Sequence, residues 1–576
     1  MSAVATAEGG APAPRSWALA TEALAARGGL LLVAAGLFVF LAAPLVAILI
    51  RSIEDKAGAF VGLANFATYF ASPAFSRSAG NTLTFAALTT LLTVPLAFTF
   101  AYAIQRTCIP AKWLWRNIAL VPILAPSLLA ALSFIYLFGN QGLFKALLPY
   151  VGLTTIYGMP GMVLAMTFSA FPHAVMILLA SLSLTDARLY EAADSMATSE
   201  WRKFATITLP GARYGLISAA MVVFTMAVSE FGVPKVIGAN DSVLAIDIYK
   251  QVIGQQNFQI GAVVGLILLV PALVAFFVDH AVRVRQKSLM SARSVAYVPR
   301  PARGRDRALL AFVLLLSAAM LLVIGMAVVG SFVKVWPYNL SLTLNHYTYG
   351  FEEAGVENAY RNSLVMAVWC AALGAALTFA GAYWLEKTRG AELLRPVVRL
   401  MAMMPMAVPG LVLGIGYILF FNAPANPLNV LYGTMTILVL STVIHFYSSS
   451  HLTAVTALKQ LDNEFESVSA SLKVPFYKTF WRVTVPVCLP SIIDISRYYF
   501  VNAMTTISAV VFLYSPKTML AAISIVQLDE AGAIGSAAAM ATLIVATSGV
   551  VTLLSFAAEG WLIRRTQGWR RAAPTR

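Results

Sequence analysis

Long apolar runs alternate with short polar segments along the whole chain. Runs of about twenty apolar residues are typical of helices that span a membrane. The alternating ten-residue segments that would indicate an outer-membrane barrel are absent from the sequence. The pattern predicts twelve spans, near residues 29–50, 80–105, 115–138, 160–183, 214–233, 259–282, 308–332, 362–385, 396–421, 432–457, 489–515 and 535–562. We therefore expect an all-α polytopic membrane protein.

The chain carries an internal duplication. Pro210 and Pro486 lie in similar polar stretches 276 residues apart (210 to 486). Glu191 and Ser467 show the same separation. Because each half holds six predicted spans, both halves enter the membrane in the same orientation. The sequence therefore predicts a tandem parallel repeat, with the two halves related by an axis along the membrane normal.

Composition divides the chain into five regions. The predicted organisation is a disordered cytoplasmic N-terminus at 1–28, a first half at 29–283, a basic linker at 284–307, a second half at 308–563 and a basic tail at 564–576. Ala, Gly and Pro enrich the N-terminus, and Arg and Pro enrich the linker. We expect the linker to lie near anionic lipid headgroups, although a solvated basic loop would have the same composition.

Charge is scarce and unevenly placed. Only 11% of residues are charged and the net charge is +15, whereas soluble domains carry about a quarter charged residues. The basic residues alternate with the spans, which argues against nucleic-acid binding. Placing both termini and the linker in the cytoplasm puts most Lys and Arg inside, as the positive-inside rule requires. The three cysteines have no paired spacing, so neither a disulfide framework nor a metal site is expected.

Two polar segments on the predicted cytoplasmic side are patterned alike. We call them the first surface element (185–213) and the second surface element (458–489). In the first, Thr185 is expected to cap a short helix on which Tyr190, Ala193 and Ala197 share one face.

A second short helix is expected to begin after Ser199, with Pro475 replacing that serine in the other half. Phe465, Val468 and Leu472 form the corresponding helix face of the second element. An amphipathic helix resting at the lipid interface would show the same pattern, but its recurrence in both halves favours docking of another protein.

Polar groups within spans are costly in lipid and are therefore candidates for function. Candidate pathway residues are Ser229, Glu230, His173, His445, Thr505, Thr506 and Ser508. The alternative for each is hydrogen bonding between helices. Asp494 and Arg497 lie nearly one turn apart and are expected to pair with each other.

The first surface element resembles the EAA motif of permeases from binding-protein-dependent ABC importers. The family pattern is Glu-Ala-Ala, three residues, Gly, and a later Leu-Pro. This chain has Glu191-Ala-Ala, Ala197 in place of Gly, and Leu209-Pro210. In the second element Ser467-Val-Ser replaces Glu-Ala-Ala and Lys473 replaces Gly, so the resemblance leaves open whether the two halves couple equally.

The resemblance implies a fused two-half permease of the bacterial inner membrane. Two cytoplasmic ATPase subunits would dock on the surface elements, a periplasmic protein would deliver the substrate, and ATP and Mg would bind the partners while this chain holds no cofactor. The implied coupling residues are Glu191, Ala192, Ala193, Ala197, Trp201, Leu209, Pro210, Ser467, Val468, Ser469, Lys473 and Pro486. Fused permeases for iron(III) and for 2-aminoethylphosphonate have this shape, and the stretch from Phe231 resembles the latter. The expected substrate is therefore a phosphonate, with iron(III) or another small solute as the alternative.

Two other functions were weighed. A self-contained secondary transporter often carries a Gly-x-x-x-Asp-Arg loop after its second span, and the segment from Gln105 lacks it. An intramembrane enzyme would need paired carboxylates or a His-Glu-x-x-His cluster within the spans, and neither occurs. The chain also lacks the phosphate-binding loop of ATPases. We therefore expect a non-catalytic subunit.

Overall fold

The computed structural model describes residues 17–288, 295, 297–353, 355–388, 391–462, 464–472 and 474–566. These residues are largely helical, which confirms the predicted all-α class. The helices of the first half are Trp17–Leu37, Ala43–Ser52, Ala64–Phe70, Pro73–Arg106, Lys112–Leu120, Ser127–Phe138, Met159–Ser183, Ala187–Ser195, Glu200–Lys203, Leu209–Ser229, Gly232–Ile237, Leu244–Tyr249 and Phe258–Ser288. Wider π-helical turns at Phe38–Ala42, Phe204–Thr208 and Lys250–Gly254, and 3₁₀ turns at Val121–Leu124 and Lys145–Val151, join or extend them.

The second half repeats this order. Its helices are Arg303–Phe332, Tyr349–Glu353, Glu357–Glu386, Leu394–Met403, Gly410–Phe421, Met435–His445, Tyr447–Lys459, Glu464–Ser471, Phe476–Thr479, Val485–Thr505, Ala521–Glu530 and Ile534–Thr566. A π-helical turn lies at Phe480–Thr484, and 3₁₀ turns lie at Asn345–Tyr347, Met404–Ala407, Pro427–Leu431 and Pro516–Thr518. One feature was not predicted, a two-stranded antiparallel hairpin in which Val333–Val335 pairs with Asn339–Leu342.

Fewer helices than predicted are long and apolar enough to cross a membrane. The described residues contain eight, or ten if each of two bent pairs is one span. The bent pairs are Lys112–Leu124 with Ser127–Phe138, at 101°, and Leu394–Ala407 with Gly410–Phe421, at 112°.

The other two predicted spans differ from expectation for separate reasons. Segment 432–457 is broken at Phe446 into two short helices. Segment 489–515 is helical only to Thr505 and contains the charged pair Asp494 and Arg497, which lowers its hydropathy. Those two side chains form the ion pair that was predicted.

The duplication appears in the backbone to the residue. Helix Leu209–Ser229 recurs as Val485–Thr505, 276 residues later (209 to 485 and 229 to 505). Each is preceded by a five-residue π-helical turn, Phe204–Thr208 or Phe480–Thr484. Such turns are rare and often mark functional sites. The predicted tandem repeat is therefore confirmed.

The first helix packs against the opposite half. A Cβ added to Gly29 would lie 2.4 Å from the ring of Trp384, so the two backbones approach closely. The Tyr417 hydroxyl donates to the Phe40 carbonyl at 2.7 Å. Phe40 lies in a π-helical turn, where a carbonyl is freed from the helix ladder. The halves are thus interlocked rather than placed side by side.

The N-terminal boundary differs from the prediction. The first helix begins at Trp17, inside the segment 1–28 for which disorder was expected. The alanines that suggested disorder are also the strongest helix formers. Residues 1–16 and the tail from 567 lie outside the described residues, as does part of the predicted linker, 289–294 and 296.

Candidate functional site: a central cavity and two surface elements

A cavity of about 380 Å³ lies between the two halves. Helices Leu209–Ser229 and Val485–Thr505 both end at its wall. Each is followed by one residue in extended conformation, Glu230 (φ −71°, ψ 129°) and Thr506 (φ −72°, ψ 139°). The repeat therefore brings two equivalent helix ends to one central space.

All seven residues proposed for a pathway line this cavity. The first half supplies His173, Ser229 and Glu230, and the second supplies His445, Thr505, Thr506 and Ser508. Their positions are predicted correctly as a group, because polar residues inside spans need a polar environment. Whether substrate touches them is a separate question, to which the proposal below returns.

The carboxylate of Glu230 is fixed by two donors. Ser127 Oγ donates to Oε1 at 2.7 Å, and the Val233 backbone N–H donates to the same oxygen at 3.1 Å. A second carboxylate, Asp279, also lines the cavity and accepts a hydrogen bond from Ser218. Sequence reasoning passed over Asp279, although an acidic residue inside the predicted span 259–282 is the same signal that singled out Glu230.

The cavity wall is acidic and rich in hydroxyls. Its lining, all within the described residues, contains two carboxylates and two histidines but no Lys or Arg. The described residues also contain no group of three or more His, Cys, Asp or Glu placed to hold a metal ion. The wall therefore suits passage of a cation rather than tight capture of one.

The two halves place one hydroxyl on opposite elements. In the first half Ser127 faces Gly232, where an added Cβ would lie 3.0 Å from Ser127 Oγ. In the second half the types are exchanged, and a Cβ on Gly410 would lie 2.3 Å from Ser508 Oγ. Each half thus has space for one side chain at this contact.

The first surface element has the predicted form of two short helices separated by a turn. Its first helix, Ala187–Ser195, is capped by the Asp186 side chain, which accepts from Arg188 N at 3.1 Å. The expectation that Thr185 is the cap was wrong, because Thr185 is buried and a carboxylate one residue later fits the cap. The predicted cap Ser199 is confirmed and accepts from Arg202 N.

The helix faces of this element divide the predicted coupling residues. Tyr190 and Ala193 are buried against the rest of the chain, so Ala193 is not presented to a partner. The other coupling residues of this element are exposed: Glu191, Ala192, Ala197, Trp201, Leu209 and Pro210. Ala197 follows the helix and has φ +50°, a left-handed conformation that glycine adopts more easily. This explains physically why glycine occupies the position in the family motif.

Ion pairs hold the turn of the first element closed. Lys203 Nζ lies 2.5 Å from Asp194 Oδ1 and 2.7 Å from Glu200 Oε1. The hydrogen bond from Lys203 lowers the pKa of Asp194, and the same bond raises the pKa of Lys203. The two short helices are thereby linked across Ala197.

The second surface element exposes an apolar face. Phe465, Val468 and Leu472 are exposed, as are Ser467 and Pro486, while Ser469 is half-buried. Ser469 Oγ lies 2.7 Å from Thr479 Oγ1 and links the two short helices. Pro475 precedes the second of these, as predicted. Lys473 lies outside the described residues.

A family model for the inner membrane component of binding-protein-dependent transport systems matches the chain twice, over residues 94–288 and 379–567. The chain belongs to this family. The double match agrees with the repeat of helices and confirms a fused two-half permease, multi-pass in the inner membrane.

The permease is similar to several curated proteins. It is 26% identical over 543 residues to the ferric transport system permease protein FbpB of Actinobacillus pleuropneumoniae, covering 91% of this chain and 77% of that protein. It is 26% identical over 443 residues to the putative ferric transport system permease protein FbpB 1 of Haemophilus influenzae, covering 74% and 68%. Over 146 residues it is 29% identical to the molybdenum transport system permease protein ModB of Escherichia coli, covering 25% and 64%.

A solved structure covers about one half of the permease. It is the bacterial alginate ABC transporter in complex with alginate pentasaccharide-bound periplasmic protein, with a TM-score of 0.41 and 19% identity, covering 47% of this chain and 99% of that chain.

Sequence reasoning missed the residues that hold the surface elements in place. Arg106 is buried, donates to the Leu182 carbonyl at 2.7 Å and lies with its guanidinium 5.1 Å from the centre of the Tyr190 ring. Arg106 was noticed only as a positive charge at a span end. Its second role depends on contacts far apart in sequence, which periodicity does not reveal.

Proposed function

We propose that this permease forms the whole translocation pathway of an ABC importer. ATPase subunits dock on the two surface elements, and a periplasmic binding protein delivers substrate to the opposite face. One observation carries the proposal: a single helix joins each surface element to the cavity. Leu209–Ser229 starts in the first element and ends beside Glu230, and Val485–Thr505 starts in the second and ends beside Thr506.

Such a helix is a rigid connector. Twenty-one residues at 1.5 Å each give a rod of about 31 Å, close to the thickness of the hydrocarbon core. A displacement imposed at the surface element therefore moves the cavity wall. Because both halves have this connection, two ATPase subunits acting together would change the cavity from both sides.

Exposed apolar side chains give the ATPase subunits something to bind. On the first element Leu189, Met196 and Trp201 are exposed, the last at 76%. The second exposes the face of Phe465, Val468 and Leu472. Aromatic and aliphatic anchors of this kind dominate protein interfaces. ATP and Mg would bind the partners, and the permease itself would hold no cofactor and perform no covalent chemistry.

The two docking surfaces differ in charge. Glu191 is exposed on the first element, where the second element has Ser467. A basic patch on the ATPase would therefore bind the first element more strongly. We expect the first element to carry most of the coupling.

The substrate we propose is a hard cation, ferric iron. Glu230, Asp279 and neighbouring hydroxyls supply oxygen atoms, which hard cations prefer. Weak sites are an advantage in a pathway, since a conducted ion must also leave. The relatives named for ferric transport support the same substrate. The expected phosphonate finds no support in these relatives, and the cavity lining contains no Lys or Arg to meet its negative charge.

Reconstitution tests both levels of the proposal. The permease, its ATPase and its binding protein are placed in proteoliposomes, and uptake of radioactive iron is followed with and without ATP. ATP-dependent iron uptake is expected. Uptake that persists without the ATPase would overturn the importer mechanism in favour of a secondary transporter. ATP-dependent uptake of 2-aminoethylphosphonate but not iron would leave the mechanism and overturn the substrate.

A further inference from the structure

We propose that residues 295–305 of the linker between the halves brace the first surface element and position it for the ATPase subunit. We call this segment the linker brace; of it, residue 296 lies outside the described residues. The brace lies between the two segments matched by the family model, which end at 288 and resume at 379. The inference rests on the proposed function, because the element it positions is the proposed docking surface.

The brace begins with backbone contacts at the start of the docking helix. Ala187 N donates to the Val295 carbonyl at 2.9 Å, and Val295 N donates to Asp186 Oδ1 at 3.3 Å. The first N–H groups of a helix have no partner within the helix. The linker supplies one, and at the same time engages the carboxylate that caps the helix.

Aromatic stacking continues the contact. The ring centres of Tyr297 and Tyr190 lie 4.5 Å apart. The buried guanidinium of Arg106 lies 4.5 Å from the Tyr297 ring and 5.1 Å from the Tyr190 ring. A cation shared by two ring faces is a strong arrangement when shielded from water. Tyr297 thus closes over the residue that holds the docking helix against the transmembrane body.

Ion pairs complete the brace on both sides of the turn. Arg300 lies 2.7 Å from Asp194, at the end of the first short helix. Arg305 lies 3.5 Å from Glu200, at the start of the second. Between them is Ala197, whose left-handed backbone is strained for a residue with a side chain. The brace therefore spans the part of the element that its own sequence holds least well.

The brace is anchored in the transmembrane body. It runs directly into helix Arg303–Phe332. Near its other end that helix packs on the first half, since a Cβ on Gly330 would lie 2.7 Å from the Tyr136 ring. The linker therefore does more than tether two halves. Its arginines Arg300 and Arg305 are engaged by carboxylates of the first surface element, and the expectation that they serve lipid headgroups changes accordingly.

The brace is tested with paired substitutions in the full permease in lipid nanodiscs, before and after assembly with the ATPase and binding protein. Tyr297→Ala removes the stacked ring and Tyr297→Phe keeps it. Arg300→Glu reverses the ion pair and Arg300→Lys keeps it. Arg307→Glu is the matched control, because it makes the same charge change at an exposed arginine of the same segment outside these contacts.

Amide hydrogen exchange over 187–195 is the direct measurement. Exchange reports local opening, and we expect it to rise about tenfold in Tyr297→Ala and Arg300→Glu, with Tyr297→Phe, Arg300→Lys and Arg307→Glu near the wild type. Exchange over 464–471 should stay constant and serves as the internal reference. In the assembled transporter, stimulation of ATP hydrolysis by loaded binding protein should fall severalfold in the first two variants and return in the conservative ones.

The outcomes separate this inference from the one on which it rests. Unchanged exchange over 187–195 in Tyr297→Ala and Arg300→Glu would overturn the brace, as would an equal rise in Arg307→Glu. Failure of the wild-type permease to associate with any ATPase would overturn the proposed function instead. The exchange measurement on the permease alone does not depend on that association.

Discussion

Lys387 Nζ lies 3.3 Å from Glu466 Oε1 and also donates to the Leu461 carbonyl at 3.2 Å. In the other half Arg106 has the same arrangement, with the Leu182 carbonyl and the Tyr190 ring as its partners. Tyr190 and Glu466 are 276 residues apart, the spacing of the repeat. Both halves thus use a cation at a helix end to hold a surface element, once against a ring and once against a carboxylate.

Lys387→Met should loosen the second surface element. The Lys387 side chain is only 5% exposed, and leaving a shielded polar partner without its donor costs about 1–3 kcal/mol. Thermal unfolding in detergent and binding-protein-stimulated ATP hydrolysis measure the effect. The double variant Lys387→Met with Glu466→Met should recover part of the loss, as a double-mutant cycle would show. Strictly additive losses would mean that the ion pair is not what holds the helix.

Glu191→Arg should uncouple ATP hydrolysis from transport while the permease still inserts. Glu191 is exposed on the proposed docking surface, and reversing an interfacial charge typically weakens binding at least tenfold. Co-purification of the ATPase and ATP-driven uptake are the measurements. Ser467→Arg, the same change at the repeat-related position, should have the smaller effect. Equal values for Glu191→Arg and the wild type in both assays would count against docking at this element.

Glu230→Gln should slow uptake of iron. The amide keeps an oxygen for the Ser127 hydroxyl but removes the negative charge from the cavity. Loss of about 1.4 kcal/mol of attraction would reduce uptake about tenfold. ATP hydrolysis without substrate should be unaffected. Ser229→Ala, a neighbouring neutral change, is the control, and a larger loss from it than from Glu230→Gln would argue that charge in the cavity is unimportant.

Gly410→Ser should destabilise the permease because its side chain would collide with Ser508. An added Cβ already lies 2.3 Å from the Ser508 hydroxyl, and overpacking of a buried contact costs about 1–3 kcal/mol. Adding Ser508→Gly should restore stability, since the pair then matches Ser127 and Gly232 of the first half. Melting temperatures of the two single variants and the double variant decide the matter. No recovery in the double variant would show that the two halves differ in more than this exchange.

Asp529 should make stability depend on pH. Helix Ala521–Glu530 lies outside the candidate spans, and burial, followed by the neighbouring Glu530, raises the pKa of Asp529 to about 6. The folded protein therefore disfavours the charged form, and this penalty is present above pH 6 and relieved as the pH falls toward 4.

Asp529→Asn should accordingly raise the melting temperature at pH 7 and flatten its change between pH 4 and 6. Glu530→Gln is the contrasting variant, because Glu530 pairs with Lys235 at 2.5 Å and its neutralisation should remove a favourable contact. A pH profile identical to that of the wild type in Asp529→Asn would assign the dependence to other groups.

Local pattern predicted the repeat, the surface elements and the polar cavity residues. Residues such as Glu230 and Ser467 stand out because a membrane-spanning sequence tolerates few polar positions. The break at Phe446 was not predicted, since no Gly or Pro marks it. The contacts of Tyr297 and Arg106 were not predicted either, because they join segments more than a hundred residues apart and depend on how the helices pack.

The packing of the first helix against Trp384 and Tyr417 has a consequence for biogenesis. The ribosome delivers this helix to the bilayer first, yet its neighbours are made only after most of the second half has been translated. Until then it must wait in lipid with a face of small residues uncovered, available to insertion factors or to quality-control proteases. A message truncated between the halves would therefore yield a protein lacking the partners of its own first span.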